Sequence, residues 1–256
     1  VVHDIVREAR ARGILCQGRG SAAGSITAYA LGITPVDPLA HGLLFERFLA
    51  DGQTSTPDID VDFAADRREE VIQYVYAKYG AERTAMVANV VTFGARSAVA
   101  DVGRALGFPA ELLTKVRRHL HTRQASDVGI DLAEVESFRS QLDHLPWRLL
   151  VDTCAALDGY PRHLGIHVGG MIVTATPLDA LVPLEPASMA GRVVVQWDKD
   201  DVEDVGLIKI DVLGLRTLGL VAECVERVAE SDTEGLPTTV PAFLDAIPGD
   251  DPATWE

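Results

Sequence analysis

The sequence predicts a mixed α/β chain of the α+β kind, with a helical subdomain inserted between two stretches that carry strands. Three observations predict it. Residues 3–12 and 67–79 repeat apolar side chains at helical spacing, and residues 13–17, 57–63 and 84–93 read as strands between them. From about residue 94 to 157 the pattern changes to several short helical repeats with few convincing strands. Strands then return at 167–175, 192–197 and 207–213, ahead of a long helix over 215–230 and a proline-containing connector over 233–248. No internal repeat or low-complexity segment interrupts this order.

Each element has a local cause. Residues 3–12 read as an amphipathic helix, followed by a short strand at Gly13–Gln17. The run Gly18-Arg19-Gly20-Ser21-Ala22-Ala23-Gly24-Ser25 predicts a glycine-rich loop opening a helix through about Leu31, and residues 43–49 a second short helical piece. Val71, Ile72, Val75, Tyr76 and Tyr79 share one helical face that Gly80 ends.

At 256 residues the chain can bury one large core or two modest ones. Its 47% hydrophobic and 24% charged residues are those of a globular protein, and no apolar run approaches the roughly 20 residues of a membrane span, so no membrane partner is expected. Cys16, Cys154 and Cys224 are few, odd in number and far apart, and no leader precedes Val1, which predicts a reducing cytoplasmic setting without disulfides. The missing initiating Met and the abrupt Asp250–Glu256 end predict a piece of a longer protein. A net charge of −15 argues against a whole surface built for nucleic acid.

The stretch Thr56-Pro57-Asp58-Ile59-Asp60-Val61-Asp62-Phe63 carries the strongest chemical signal. On a strand, Asp58, Asp60 and Asp62 share one face and Ile59, Val61 and Phe63 the other. Carboxylates so arranged repel unless cations lie between them, and oxygen ligands suit magnesium in a two-metal site for phosphoryl transfer. A solvated edge strand or a calcium loop gives the same pattern. The glycine-rich loop can hold phosphate, with Ser21 and Ser25 as hydroxyl donors, or be only a tight turn. Its Gly18, Gly20, Gly24 spacing misses the dinucleotide fingerprint by one position.

In Gly206-Leu207-Ile208-Lys209-Ile210-Asp211-Val212-Leu213-Gly214-Leu215, Lys209 and Asp211 share one strand face and Ile208, Ile210 and Val212 the other. An acid in so apolar a strand needs a partner or a metal, and a structural Lys–Asp pair is the plain alternative. His163 and His167 have the spacing of a helical zinc pair, but Gly165, Gly169 and Gly170 disfavour a helix. A backbone-shaping or phosphate-near role suits them better than metal; an ordinary partly buried residue is the better reading of His163, and His167 stands evenly between the two. Lys115, Arg117, Arg118, His119, His121 and Arg123 can track a nucleic-acid backbone or form a solvated helix face.

Read in order, these motifs resemble those of the bacterial family C DNA polymerases, the alpha subunit of DNA polymerase III and its relatives. The carrying residues are 18–25, Leu43-Leu44-Phe45-Glu46-Arg47-Phe48-Leu49, 57–63, 68–80, His163-Leu164-Gly165-Ile166-His167-Val168-Gly169-Gly170, Gln196-Trp197-Asp198-Lys199 and 206–215. The resemblance covers almost the whole chain and is thinnest over about 125–151. It implies a nucleotidyltransferase palm resembling polymerase beta, interrupted by a helical thumb. Residues 1–92 would be palm, 93–161 thumb, 162–216 returning palm and 217–256 the start of the fingers.

In that pattern Asp60, Asp62 and Asp211 are the catalytic, metal-binding carboxylates, with Asp58 a neighbour outside the three. Gly20 and Ser21 match the loop that holds the incoming triphosphate, and Lys209 the basic residue beside the third acid. The implied cofactor is Mg2+, two ions, and the implied partners are primer-template DNA and deoxynucleoside triphosphates. A sliding clamp and other replication or repair proteins would be engaged through parts of a parent chain outside these residues. The wording of 160–167 and 196–201 is similar to the error-prone branch rather than the main replicative subunit. An inactive module retaining the palm, and a small-molecule nucleotidyltransferase, are the alternatives.

Overall fold

The computed structural model describes residues 1–48, 59–230 and 239–247. In chain order these form α1 (Val2–Ala11), β1 (Cys16–Arg19), α2 (Ile26–Ala30), β2 (Ile59–Ala64), α3 (Arg68–Tyr79) and β3 (Thr84–Thr92). Five helices follow, α4 (Ala95–Ala105), α5 (Ala110–Arg118), α6 (Val128–Glu134), α7 (Glu136–Arg139) and α8 (Leu145–Ala156). Then come β4 (Pro161–Val173), β5 (Leu184–Pro186), β6 (Val193–Val195), α9 (Lys199–Asp204), β7 (Lys209–Leu215), α10 (Arg216–Glu230) and α11 (Val240–Asp245). The chain divides into two units, one of residues 1–89 with 166–256 and one of residues 90–165.

The first unit is built on a seven-stranded mixed sheet in the order β1-β2-β7-β4-β3-β6-β5. Its strands obey the period of two. Met86 and Ala88 of β3, Met171 of β4 and Val194 of β6 join one core with Ile5, Val6 and Ala9 of α1 and Val71, Ile72 and Val75 of α3. Their neighbours Ala85, Val87, Ile172 and Val195 join a second core on the other side, closed by Leu178, Val182 and Val202. On β2 and β7 the first face stays apolar, through Val61, Phe63, Ile210 and Val212. The opposite face of these two strands carries Asp60, Asp62, Lys209 and Asp211.

The second unit packs α4 to α8 around Val99, Val116, Leu132, Phe138, Trp147 and Leu150. Trp147 meets Phe108 edge-on at 5.2 Å and Phe138 at 5.6 Å. Gly103 lets α4 approach α5 closely, since a Cβ there would lie 2.2 Å from Leu113 Cδ2.

Several boundaries differ from the sequence pattern for identifiable reasons. β1 starts at Cys16 rather than at residue 13 and runs through Gly18 and Arg19, because its antiparallel register with β2 continues to Arg19 opposite Asp60. Gly18 permits this, as a Cβ there would sit 3.1 Å from Ala22 Cβ. The glycine-rich loop forms a 3-10 turn at Gly20–Ala22 before the five-residue α2, whose N-cap is Ser25. Ser25 Oγ accordingly accepts from Ala28 N at 3.2 Å and caps the helix. β4 begins at Pro161, well before residue 167. α9 is too short to show a period in the sequence, and Asp198 caps it by accepting from Asp200 N and Asp201 N at 3.0 and 3.1 Å. α11 opens on a proline inside the expected connector. Leu49, Asp58 and residues 231–238 and 248–256 lie outside the described residues.

Candidate active site

The site is assembled by strand register. β2 and β7 are parallel neighbours although the whole of 65–208 separates them in sequence, and Asp60 stands directly beside Asp211. β1 pairs with β2 on the other side, with Gln17 opposite Asp62 and Arg19 opposite Asp60. β4 closes the group beyond β7, with Gly170 opposite Asp211 and Ile172 opposite Lys209. Four strands thus bring Asp60, Asp62, Asp211, Lys209, Arg19 and His167 together.

The polar face is buried to an unusual degree for charged groups. Asp62, Asp211 and Lys209 are only 3%, 7% and 9% exposed, while Asp60 is half-buried. Two cations of the chain offset part of the negative charge. Lys209 Nζ donates to Asp211 Oδ2 at 2.7 Å, and Arg19 approaches Asp62 Oδ1 at 3.4 Å. Burial, and then the neighbouring Asp211 carboxyl, push Asp60 above the ordinary carboxylate range against the opposing pull of Arg19 and Lys209. Asp211 Oδ1 is buried and has no hydrogen-bond donor among the described residues.

The glycine-rich turn abuts this face. Gly20 adopts a left-handed φ of 59°, which favours glycine, and a Cβ on it would only reach ordinary van der Waals distance, 3.6 Å, of Asp60 Oδ2, so the turn runs beside the carboxylate. Ser21 follows in the same turn, half-buried. His167 lies with Nδ1 3.7 Å from Asp211 Oδ1. His163 is exposed, with its ring beside its own neighbour's Leu164 carbonyl at 2.9 Å, so the two histidines form no pair. They lie in β4, where residues four apart share a face but stand about 13 Å apart along the strand, too far to hold one ion as a helical zinc pair does.

Asp60, Asp62 and Asp211 share one face without closing into a cage. Among the described residues no three His, Cys, Asp or Glu groups lie together at metal-holding spacing. Asp62 sits one pleat beyond Asp60 and leans to Arg19, and Asp211 leans to Lys209. Arg19 escaped the sequence reading, though the signal was there: Gln17 and Arg19 alternate with Cys16 and Gly18 just as the acids alternate on β2. Arg68 escaped it too. Its Nε donates to Val212 O at 2.6 Å and its second guanidinium nitrogen donates to Val168 O, tying β7 to β4 next to the site.

Comparison with known proteins gives the family. The family described as "Bacterial DNA polymerase III alpha NTPase domain" matches residues 1–214. An error-prone DNA polymerase of Anaeromyxobacter dehalogenans is 44% identical over 267 aligned positions, which cover all of this chain and 23% of that protein. Its counterpart in Methylococcus capsulatus is 46% identical over all of this chain and 24% of its own length, and that of Mycobacterium bovis 48% identical over 90% of this chain and 20% of its own. The chain therefore spans about a quarter or less of the length of these relatives. Because the family match runs through both acid-bearing strands and nearly to the end of β7, the chain belongs to the bacterial DNA polymerase III alpha family.

Proposed function

We propose that this chain is the palm and thumb portion of an error-prone DNA polymerase that adds deoxynucleotides to a primer 3′ end by two-metal nucleotidyl transfer. The observation that carries the reading is the side-by-side register of Asp60 and Asp211, with Asp62 on the same face. Two like charges on adjacent buried strands raise each other's cost, and a carboxylate oxygen left without a donor costs about 1–3 kcal/mol. Hard oxygen ligands with an unsatisfied buried atom suit divalent cations such as Mg2+. Asp60 and Asp62 would hold both ions and Asp211 would complete the set. Magnesium bound there supplies activation of the primer 3′-hydroxyl and neutralisation of the triphosphate and leaving pyrophosphate.

The chain's own residues do the rest. The Gly20–Ser21 turn, running beside Asp60 without a side chain at Gly20, leaves room for a triphosphate and offers Ser21 as a hydroxyl donor. Lys209 holds Asp211 in place and keeps a positive charge against the phosphates. In this reading the sheet unit is the palm, residues 217–256 begin the fingers and the helical unit is the thumb that meets primer-template DNA. Residues 90–165 hold nine Lys and Arg against nine Asp and Glu, so the whole of the −15 lies outside them. Arg96, Arg104, Arg117, Arg123 and Arg162 line a cleft of about 730 Å3 against a single acid, Asp101. Such a basic cleft suits a phosphodiester backbone.

Asp60→Asn tests the reading, because asparagine keeps the size and removes the charge. In the longest natural polypeptide carrying this sequence, primer extension on a labelled template should fall at least about 1,000-fold while duplex binding is unchanged. Near-normal extension would sink the assignment. Incorporation that needs no template would instead favour a small-molecule nucleotidyltransferase.

A further inference from the structure

β4 holds Gly165, Gly169 and Gly170 within thirteen residues, a high glycine load for a strand. The last of them faces the candidate site. A Cβ on Gly170 would lie 2.8 Å from His167 Nδ1, 3.2 Å from Lys209 Cδ and 3.3 Å from Asp211 Oδ1. A Cβ on Gly169 would lie 2.9 Å from Val212 O. The bare backbone here lets β4 press against β7, and it also leaves two amides aimed at His167.

Gly170 N donates to His167 Nδ1 at 2.7 Å and Gly169 N approaches the same atom at 3.4 Å. A backbone amide can only donate, so Nδ1 meets it with its lone pair. That same Nδ1 is 3.7 Å from Asp211 Oδ1, the buried oxygen without a donor. What meets the carboxylate oxygen is therefore an electron pair, and the imidazole cannot cap it. Lys209 takes the other oxygen, and Arg68 fixes the backbone on both sides through Val168 O and Val212 O.

We propose that His167 is a positioning residue for Asp211: the Gly170 amide holds its Nδ1 as an acceptor, so the ring walls one side of Asp211 Oδ1 without donating to it, and that oxygen is kept for a divalent cation. This rests on the reading of Asp211 as a metal ligand. Groups behind metal ligands commonly change metal affinity by about 10–100-fold. Loss of the acceptor also frees the Gly170 amide, the register partner of Asp211, to turn to the carboxylate and compete with the cation.

The test is Mn2+ binding to this chain, followed by electron paramagnetic resonance of the free ion, with thermal unfolding as a check on the fold. His167→Asn keeps an oxygen where Nδ1 stands, His167→Gln places its oxygen where Nε2 stands, and His167→Ala has neither. The dissociation constant should rise about 10-fold in His167→Ala and His167→Gln and stay within about twofold in His167→Asn. Unchanged binding in His167→Ala overturns the proposal. So does retention by His167→Gln with loss in His167→Asn, or equal loss in both. If His167→Ala fails to fold, the two isosteric variants decide alone. Asp211→Asn separates the two layers: if it abolishes Mn2+ binding while the His167 variants do not move it, the metal site stands and this inference falls. No binding by the unaltered chain overturns both.

Discussion

Lys209 is the residue on which the candidate site's electrostatics turn. It is buried against Asp211 in a 2.7 Å bond, and Asp60 lies beside that pair in the parallel register. Removing one partner of a buried pair leaves an uncompensated charge, which costs about 3–5 kcal/mol, whereas removing both costs far less. Lys209→Met should therefore lower the metal-free stability of the chain by about 3 kcal/mol in urea unfolding, by that same argument. The double variant Lys209→Met, Asp211→Asn should recover most of the loss, giving a coupling of at least about 1 kcal/mol in the cycle. Additive losses would mean that Lys209 stabilises by packing its stem, with the ion pair contributing little. The same neighbourhood shows what single residues reveal in sequence. Alternation alone places Asp60 and Asp62 on one face, because burial of Val61 and Phe63 leaves no other arrangement. That Asp211 stands beside Asp60 is a matter of register between strands far apart in the chain, and no local pattern encodes it.

At the scale of elements, α1 is clamped onto α3 by a small polar cluster as well as by its apolar stripe. Asp4 of α1 receives Lys78 Nζ and, at 2.9 Å, Tyr79 Oη, and Tyr74 Oη lies 3.3 Å away. The Lys78 ammonium, and after it the Tyr79 hydroxyl, hold the Asp4 carboxyl down at about 2 from an ordinary 3.8. Burial, and then the Asp4 carboxylate, push the Tyr79 phenol up to about 12 from 10. A carboxyl whose folded value is depressed stabilises the fold above its unfolded value and loses that contribution as pH falls through the folded one. A phenol whose folded value is raised contributes below its unfolded value and loses the contribution as pH rises. The urea midpoint should thus fall between pH 4 and 2 and again between pH 10 and 12, and Asp4→Asn should flatten the acid limb and reduce the alkaline one, where the burial of Tyr79 remains. Persistence of both limbs at full size in that variant would assign them elsewhere. The helices α1 and α3 were legible because a 3.6-residue apolar period survives any tertiary context, and β5 and α9 were not, because three to six residues carry too little period to read. A strand end moved for a different reason: β1 runs on to Arg19 by pairing with β2, a partner that the local sequence does not contain.

At the scale of the whole molecule, charge is divided unevenly between the two units, and this reverses what the composition suggests. A chain at −15 should avoid DNA, yet residues 90–165 are neutral in sum and gather five arginines around one cleft. Not all five are equally available. Arg162 is held by Asp101 at 2.7 Å, Arg104 approaches the same carboxylate at 3.6 Å, and Arg96 reaches toward Leu120 O at 3.4 Å. Arg117 and Arg123 are both exposed and are the better candidates for binding phosphate. Each phosphate that the protein no longer neutralises should reduce the steepness of the salt dependence of binding by about 0.9 in a plot of log affinity against log salt for duplex DNA. Arg117→Gln and Arg123→Gln together should therefore lower that slope by about 1.8 on a labelled primer-template duplex, read by anisotropy over a salt series, and weaken binding alike on every sequence tried. Asp101→Asn, which frees Arg162 and Arg104, should act in the opposite direction and steepen the dependence. A slope indifferent to all three substitutions would place DNA binding by this chain outside the cleft and leave its five arginines as part of the nine cations that balance nine acids in residues 90–165.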